Sequence, residues 1–146
     1  MGFYPIDAGS IPAEETVIWE LSSQVEKTMQ YISRKMIKPH DLNSANTLFG
    51  GRLLEWIDEE CAVYSICKLG TEHITTKFIS EIDFIKPARQ GDIIEIGVED
   101  VAFGRTSFSI RCSVRNQTTK EEIVRIEKIV YVALDEKGEP VAHGVK

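Results

Sequence analysis

FGGRLLEWIDEECAVYSICKL, residues 49–69, is the stretch on which the fold turns. Leu53, Leu54, Ile57, Cys61 and Tyr64 recur at intervals of three and four, the spacing that lines one face of an α-helix. Gly70 supplies the expected stop. At 1.5 Å per residue this helix is about 30 Å long. Outward from it the chain reads as strands. Residues 28–37 alternate loosely before Pro39, and 74–85, 93–103, 106–117 and 123–134 follow, punctuated by KPARQGD, FGR and NQTTKE. Ile94, Ile96 and Val98, and Phe108, Ile110, Cys112 and Val114, show the two-residue period. Short connections make such strands antiparallel neighbours. The helix is the one element apolar and long enough to cover their common apolar face. The expected class is therefore α+β, a long helix wrapped by a curved antiparallel sheet.

Residues 1–12 read as an irregular arm and 13–24 as a short peripheral helix, so that residues 1–27 precede a single domain over 28–146. A chain of 146 residues buries enough surface to need no staples, and the three cysteines, Cys61, Cys67 and Cys112, suggest no disulfide framework. The start has neither a secretory nor a transit pattern and no apolar run is long enough to span a membrane, so the cytoplasm is the expected compartment. A net charge of −6 argues against nucleic acid and anionic membranes as partners, and any phosphate-bearing ligand must find a local basic patch.

With Ile57 at the centre of the apolar stripe and 100° per residue, Asp58 falls at the stripe's edge beside the small residues Ala62 and Ser65. Glu55 and Glu59 fall on the far face, and Glu60 on the other edge is a rival carboxylate. Gly50 and Gly51 open the helix, where unpaired N–H groups and the positive end of the helix dipole form a ready oxyanion site; close packing of helix on strand explains the glycines equally well. The preceding HDLNSANT, residues 40–47, has loop and capping chemistry. His40, His73 and His143 are scattered, the cysteines show no ligand spacing, and no phosphate-loop motif is present, so no metal, ATP or NAD site is expected.

Four segments, DLNSANTLFGGRLLEWIDEECA (41–62), FISEIDFIKPARQGD (78–92), VAFGRTSFSIRCSV (101–114) and VYVALDEKGEP (130–140), taken together closely resemble the hotdog-fold acyl-CoA hydrolases. The likeness is to the branch of brain-type cytosolic acyl-CoA hydrolases and bacterial broad-specificity acyl-CoA thioesterases. It implies a hotdog fold and hydrolysis of fatty acyl-CoA to free acid and CoA, with CoA as substrate and product rather than cofactor. It also implies a homodimer at least, a trimer of dimers in the full assembly, and active sites to which two protomers contribute. By the same resemblance Asp58 is the family's helix carboxylate, acting as general base or nucleophile, Asn43 arranges the site, and the Gly51 N–H polarises the thioester carbonyl. Gly104, Arg105, Thr106 and Ser107 resemble the CoA-binding turn, with Gly50 beside the substrate and Lys86 and Arg89 meeting the phosphates. Asn46–Thr47 departs from relatives, which often carry Gly followed by Asp or Asn. The rival readings are a non-catalytic acyl-CoA sensor and a hotdog hydratase or dehydratase; the latter resemble a motif centred on a histidine, and no histidine lies on this helix.

Overall fold

The computed structural model describes residues 29–146, so the arm and peripheral helix expected over residues 1–27 lie outside the described residues. In chain order come β1 (Gln30–Met36), a 3-10 turn (Pro39–Asp41), α1 (Gly50–Leu69), β2 (Ile74–Ile79), β3 (Ile82–Phe84), β4 (Ile93–Phe103), β5 (Ser107–Asn116) and β6 (Glu122–Ala133). The strands form one six-stranded antiparallel sheet in the order β1-β4-β5-β6-β2, with β3 also against β6. This is the helix-on-antiparallel-sheet arrangement expected from the sequence.

The core lies between α1 and the inward residues of three strands. Ile94, Ile96 and Val98 come from β4, Phe108, Ile110, Cys112 and Val114 from β5, and Val124, Ile126, Ile129 and Tyr131 from β6. From α1 the buried residues are Leu53, Ile57, Cys61, Ser65 and Leu69, one every four positions. Such a row drifts around the helix by about 40° per step, because four residues overshoot one turn. That drift corrects the expectation for Ser65. A stripe fixed on Ile57 leaves it at an open edge next to Asp58, whereas the ridge lying along the sheet carries it into the core, fully buried. Gly70 ends the helix in the left-handed conformation at φ 71°, its N–H bonded to Ile66 O at 2.9 Å.

The single strand expected over 74–85 is two. Ile79 faces Ile129 and Ile82 faces Ile126, while on its other side β6 pairs Ile129 with Ile110 and Ile126 with Cys112. An extra residue in β6 therefore bulges the ladder around Glu127–Lys128, and the buried residues of β6 change phase there. Opposite the bulge, Ser80 replaces the regular ladder, its N–H bonding Lys128 O at 2.9 Å and its hydroxyl accepting the Lys128 N–H at 3.1 Å. A second bulge, at Lys77, separates Thr76 from Phe78.

The two edges of the sheet differ. The β1 edge carries Arg34 and Lys35, each in an ion pair, with Glu95 and Glu60 respectively. The β2–β3 edge exposes Phe78, Ile79, Phe84 and the adjoining Ile85. No helix among the described residues is long and apolar enough to cross a membrane.

Candidate active site

Asp58 stands in the third turn of α1 with its side chain toward β2 and β6. Thr76 Oγ1 donates to Asp58 Oδ1 at 2.8 Å, and the Tyr131 phenol reaches the same Oδ1 at 3.2 Å and the Asp58 carbonyl at 3.4 Å. Asp58 Oδ2 has no partner among the described residues, and the residue is exposed on the side of the apolar sheet edge. Glu60 has a different task. It accepts from Ser33 Oγ at 2.8 Å and pairs with Lys35 at 3.5 Å, tying the opposite flank of α1 to β1. The structure thus separates the two carboxylates that the helical wheel left as rivals.

The loop before α1 is held by its own side chains. Asn43 Oδ1 accepts the N–H groups of Ala45 and Thr47 at 2.9 and 3.1 Å, and Asn43 Nδ2 donates to Thr47 Oγ1 at 3.0 Å. Thr47 is thereby a structural partner of Asn43. Asn46 takes φ 62°, a left-handed conformation that glycine adopts freely and asparagine tolerates. Asp41 is buried, accepts the Lys38 N–H at 2.9 Å, pairs with Arg52 at 3.3 Å, and so moors the loop to the first turn of α1.

At that turn the helix has no side-chain cap. Its first hydrogen bonds run from Arg52 and Leu53 to Phe49 O, which leaves the Gly50 and Gly51 N–H groups without partners among the described residues. Beside them opens a cavity of about 380 Å³ with walls of Leu48, Leu53, Phe84, Ile85 and Ile123, and with Asn43, Gly50 and Lys86 among its lining. A Cβ on Gly50 would come to 3.4 Å of the Phe84 ring, so glycine keeps the cavity wall clear of the helix. Gly51 lies on the exposed side of the same turn.

The candidate CoA contacts fall into two groups. Lys86 and Arg89 lie between β3 and β4, next to the Asn43 loop, with Thr47 bridged to Arg89 and Leu48 N–H bonded to Ala88 O at 2.8 Å. Lys86 is engaged by Glu121, and that hydrogen bond and charge hold the Glu121 carboxyl below its ordinary value. The Arg89 side chain has no ion pair among the described residues. Gly104, Arg105, Thr106 and Ser107 form the β4–β5 turn at the far end of β4, roughly 30 Å away at strand rise. There Gly104 N–H bonds Ser107 O at 2.9 Å, and a Cβ on Gly104 would meet Ser107 Oγ at 2.4 Å. Thr106 O accepts from Ala133 at 2.8 Å and Arg105 O from His143 at 3.2 Å. Asp58 stands between the two groups, seven residues and about 10 Å along the axis from Gly51. No hydrogen bond within one chain joins Asp58 to Asn43 or to either group. Thr76 and Tyr131 are the residues that sequence reasoning missed, and no group of acidic, histidine and cysteine residues able to hold a metal occurs among the described residues.

The sequence profile of the thioesterase superfamily matches residues 45–123, from the loop through α1 into β6. The chain belongs to the thioesterase superfamily. This thioesterase-superfamily chain is 29% identical over 118 residues to an uncharacterized acyl-CoA thioester hydrolase, YkhA, of Bacillus subtilis, covering 79% of the chain and 68% of that protein. Among solved structures it is similar to a hexameric acyl-CoA thioesterase in its apo form, at 30% identity and a TM-score of 0.64 over 81% of this chain and 76% of that one. It is also similar to the acyl-CoA hydrolase of Staphylococcus aureus solved with butyryl-coenzyme A, coenzyme A and coenzyme A disulfide, at 26% identity and a TM-score of 0.69 over 80% and 70% of the two chains. The hotdog fold expected from the sequence is thus the fold of thioesterases of known structure.

Proposed function

We propose that this chain hydrolyses acyl-CoA thioesters to the free acid and coenzyme A, and that each active site is built by two copies. The observation that carries the reading is a division of labour along α1. Its N-terminus offers a cavity with apolar walls, two unpaired N–H groups and Asn43, while its third turn presents Asp58 outward, beside a sheet edge that is apolar and open. Joined edge to edge at β2, two copies bring the Asp58 of one to the helix N-terminus of the other. The acyl carbonyl oxygen lies at the Gly50 and Gly51 N–H groups, where the helix dipole and preorganised donors favour the developing negative charge. Water adds to the carbonyl carbon, the carbon–sulfur bond breaks, and the thiolate of coenzyme A leaves and takes up a proton. Asp58 supplies the carboxylate that activates the water, and Thr76 keeps it directed. Direct attack by Asp58 on the thioester would instead pass through an anhydride, which a single turnover in isotopically labelled water separates from the base route. Lys86, Arg89 and the 104–107 turn are the basic and backbone groups offered to the phosphates, contributed by different protomers because one chain keeps them at opposite ends. The hexamer among the relatives supports a trimer of such dimers.

The test is thiol release from a panel of short to long acyl-CoAs. Asp58→Asn keeps size and removes charge, and it is expected to lower kcat by about 100-fold or more, the scale of a lost acid–base group, with unchanged assembly size. Tight acyl-CoA binding without hydrolysis by the unsubstituted chain would make it a sensor instead.

A further inference from the structure

We infer that Tyr131 is a positioning residue for the Asp58 carboxylate, a role that rests on the hydrolase reading above and extends it to a residue of the last strand. Tyr131 points into the core from β6, between Ile129 and Ala133, and is almost completely buried. A phenylalanine ring would fill that volume equally well, so the hydroxyl is the one polar addition at an otherwise apolar position. A buried hydroxyl needs a partner; this one reaches Asp58 at Oδ1, 3.2 Å away, and at the main-chain carbonyl, 3.4 Å away, and it also engages the Thr76 hydroxyl. Its single proton is shared between the side chain of Asp58 and the backbone that carries it. Thr76 donates to that same Oδ1 from β2. Two donors from two strands therefore hold one oxygen, which stops rotation of the carboxylate and leaves Oδ2 as the oxygen facing out toward substrate. The other carboxylate on α1 nearby, Glu60, is engaged on the opposite flank.

The two titratable groups that face Asp58 support a fixed arrangement. Burial, followed by the charges of Cys61 and Asp58, pushes the Tyr131 phenol up, so it remains a donor through the neutral range. The hydrogen bond with Cys112, then burial, pushes the Cys61 thiol well up, so it adds no charge there.

The experiment compares the unsubstituted chain, Tyr131→Phe, Asp58→Asn and the double variant by the kcat and KM of thiol release, with thermal melting and assembly size as controls. The expected result for Tyr131→Phe is a kcat lowered about tenfold or more, the scale of a hydrogen bond to a charged group, with KM, melting and size unchanged. In the Asp58→Asn background the same change has no further effect on kcat. An unaltered kcat, an equal loss in both backgrounds, or a loss confined to KM or melting overturns the positioning role while leaving the hydrolase reading standing. Absence of hydrolysis by the unsubstituted chain overturns both.

Discussion

Ser65 shows how far a single side chain can be read. Its hydroxyl is buried in the helix row that faces the sheet and has no hydrogen-bond partner among the described residues. An unpaired buried hydroxyl destabilises, and alanine has the better helix propensity. Ser65→Ala is therefore expected to raise stability by about 1 kcal/mol in urea denaturation while leaving thiol release unchanged. Asp58 was legible as a candidate from its place on the wheel, because an acidic residue beside an apolar stripe is unusual enough to notice. Thr76 and Tyr131 were not. Each sits in a strand of β-branched and aromatic residues where it looks like any other sheet former, and what marks it is a contact with a helix some distance away in sequence. The Asn43 side chain was read as part of a site, and the structure adds that the same atoms shape the loop, so its substitution would disturb both.

At the scale of elements, charge binds strands on the face away from α1. Glu95 of β4 is buried and bonded to Arg34 of β1 at 3.0 Å and Arg115 of β5 at 2.8 Å, with Lys120 of the β5–β6 turn at 3.8 Å. Burial opposes the charged form, yet the hydrogen bonds and charges of Arg115 and Arg34, helped by Lys120, hold the carboxyl below its ordinary value. A carboxyl lowered in the folded state stabilises fully above its unfolded value, and that stabilisation is lost as pH falls through the folded one. Glu95→Gln is expected to cost about 2 kcal/mol at neutral pH, and the deficit should shrink as the solution is acidified through the carboxylate range; urea midpoints measured across pH check both. The helix and the ends of the long strands were readable to within a residue or two, since periodicity and glycine punctuation are local signals. The break between β2 and β3 was not, because its cause is an extra residue in β6, far along the chain, to which Ser80 adapts.

For the whole molecule, the topology decides which candidate residues can cooperate. Lys86 and Arg89 read alongside the 104–107 turn as one phosphate site, but β4 runs between them within one chain; residue spacing carries no sign of that separation, and a site built by two protomers was implied by the family resemblance alone. If Asp58 and Asn43 act across a dimer, mixing separately inactive chains restores function. An Asp58→Asn chain reassorted with an Asn43→Ala chain forms mixed dimers with one intact site each, and about a quarter of the unsubstituted rate is expected from statistical pairing in a symmetric dimer. Thiol release after mixing checks this, and no recovery from chains that demonstrably exchange would place both residues in the same protomer.

The unlike edges of the sheet have a consequence for growth. A strand edge is an invitation to add another chain, and a molecule with two equivalent inviting edges would lengthen without limit into a fibre. Here one end of the sheet exposes Phe78, Ile79, Phe84 and Ile85, while the other, where Ile32 and Met36 are also exposed, carries paired arginine and lysine. In the proposed pairing the apolar edge would meet its own copy about a twofold axis, and the ends left over would be those that carry Arg34 and Lys35. Addition along the sheet would then halt at two sheets, so that the edge proposed to recruit a partner would also end the polymer.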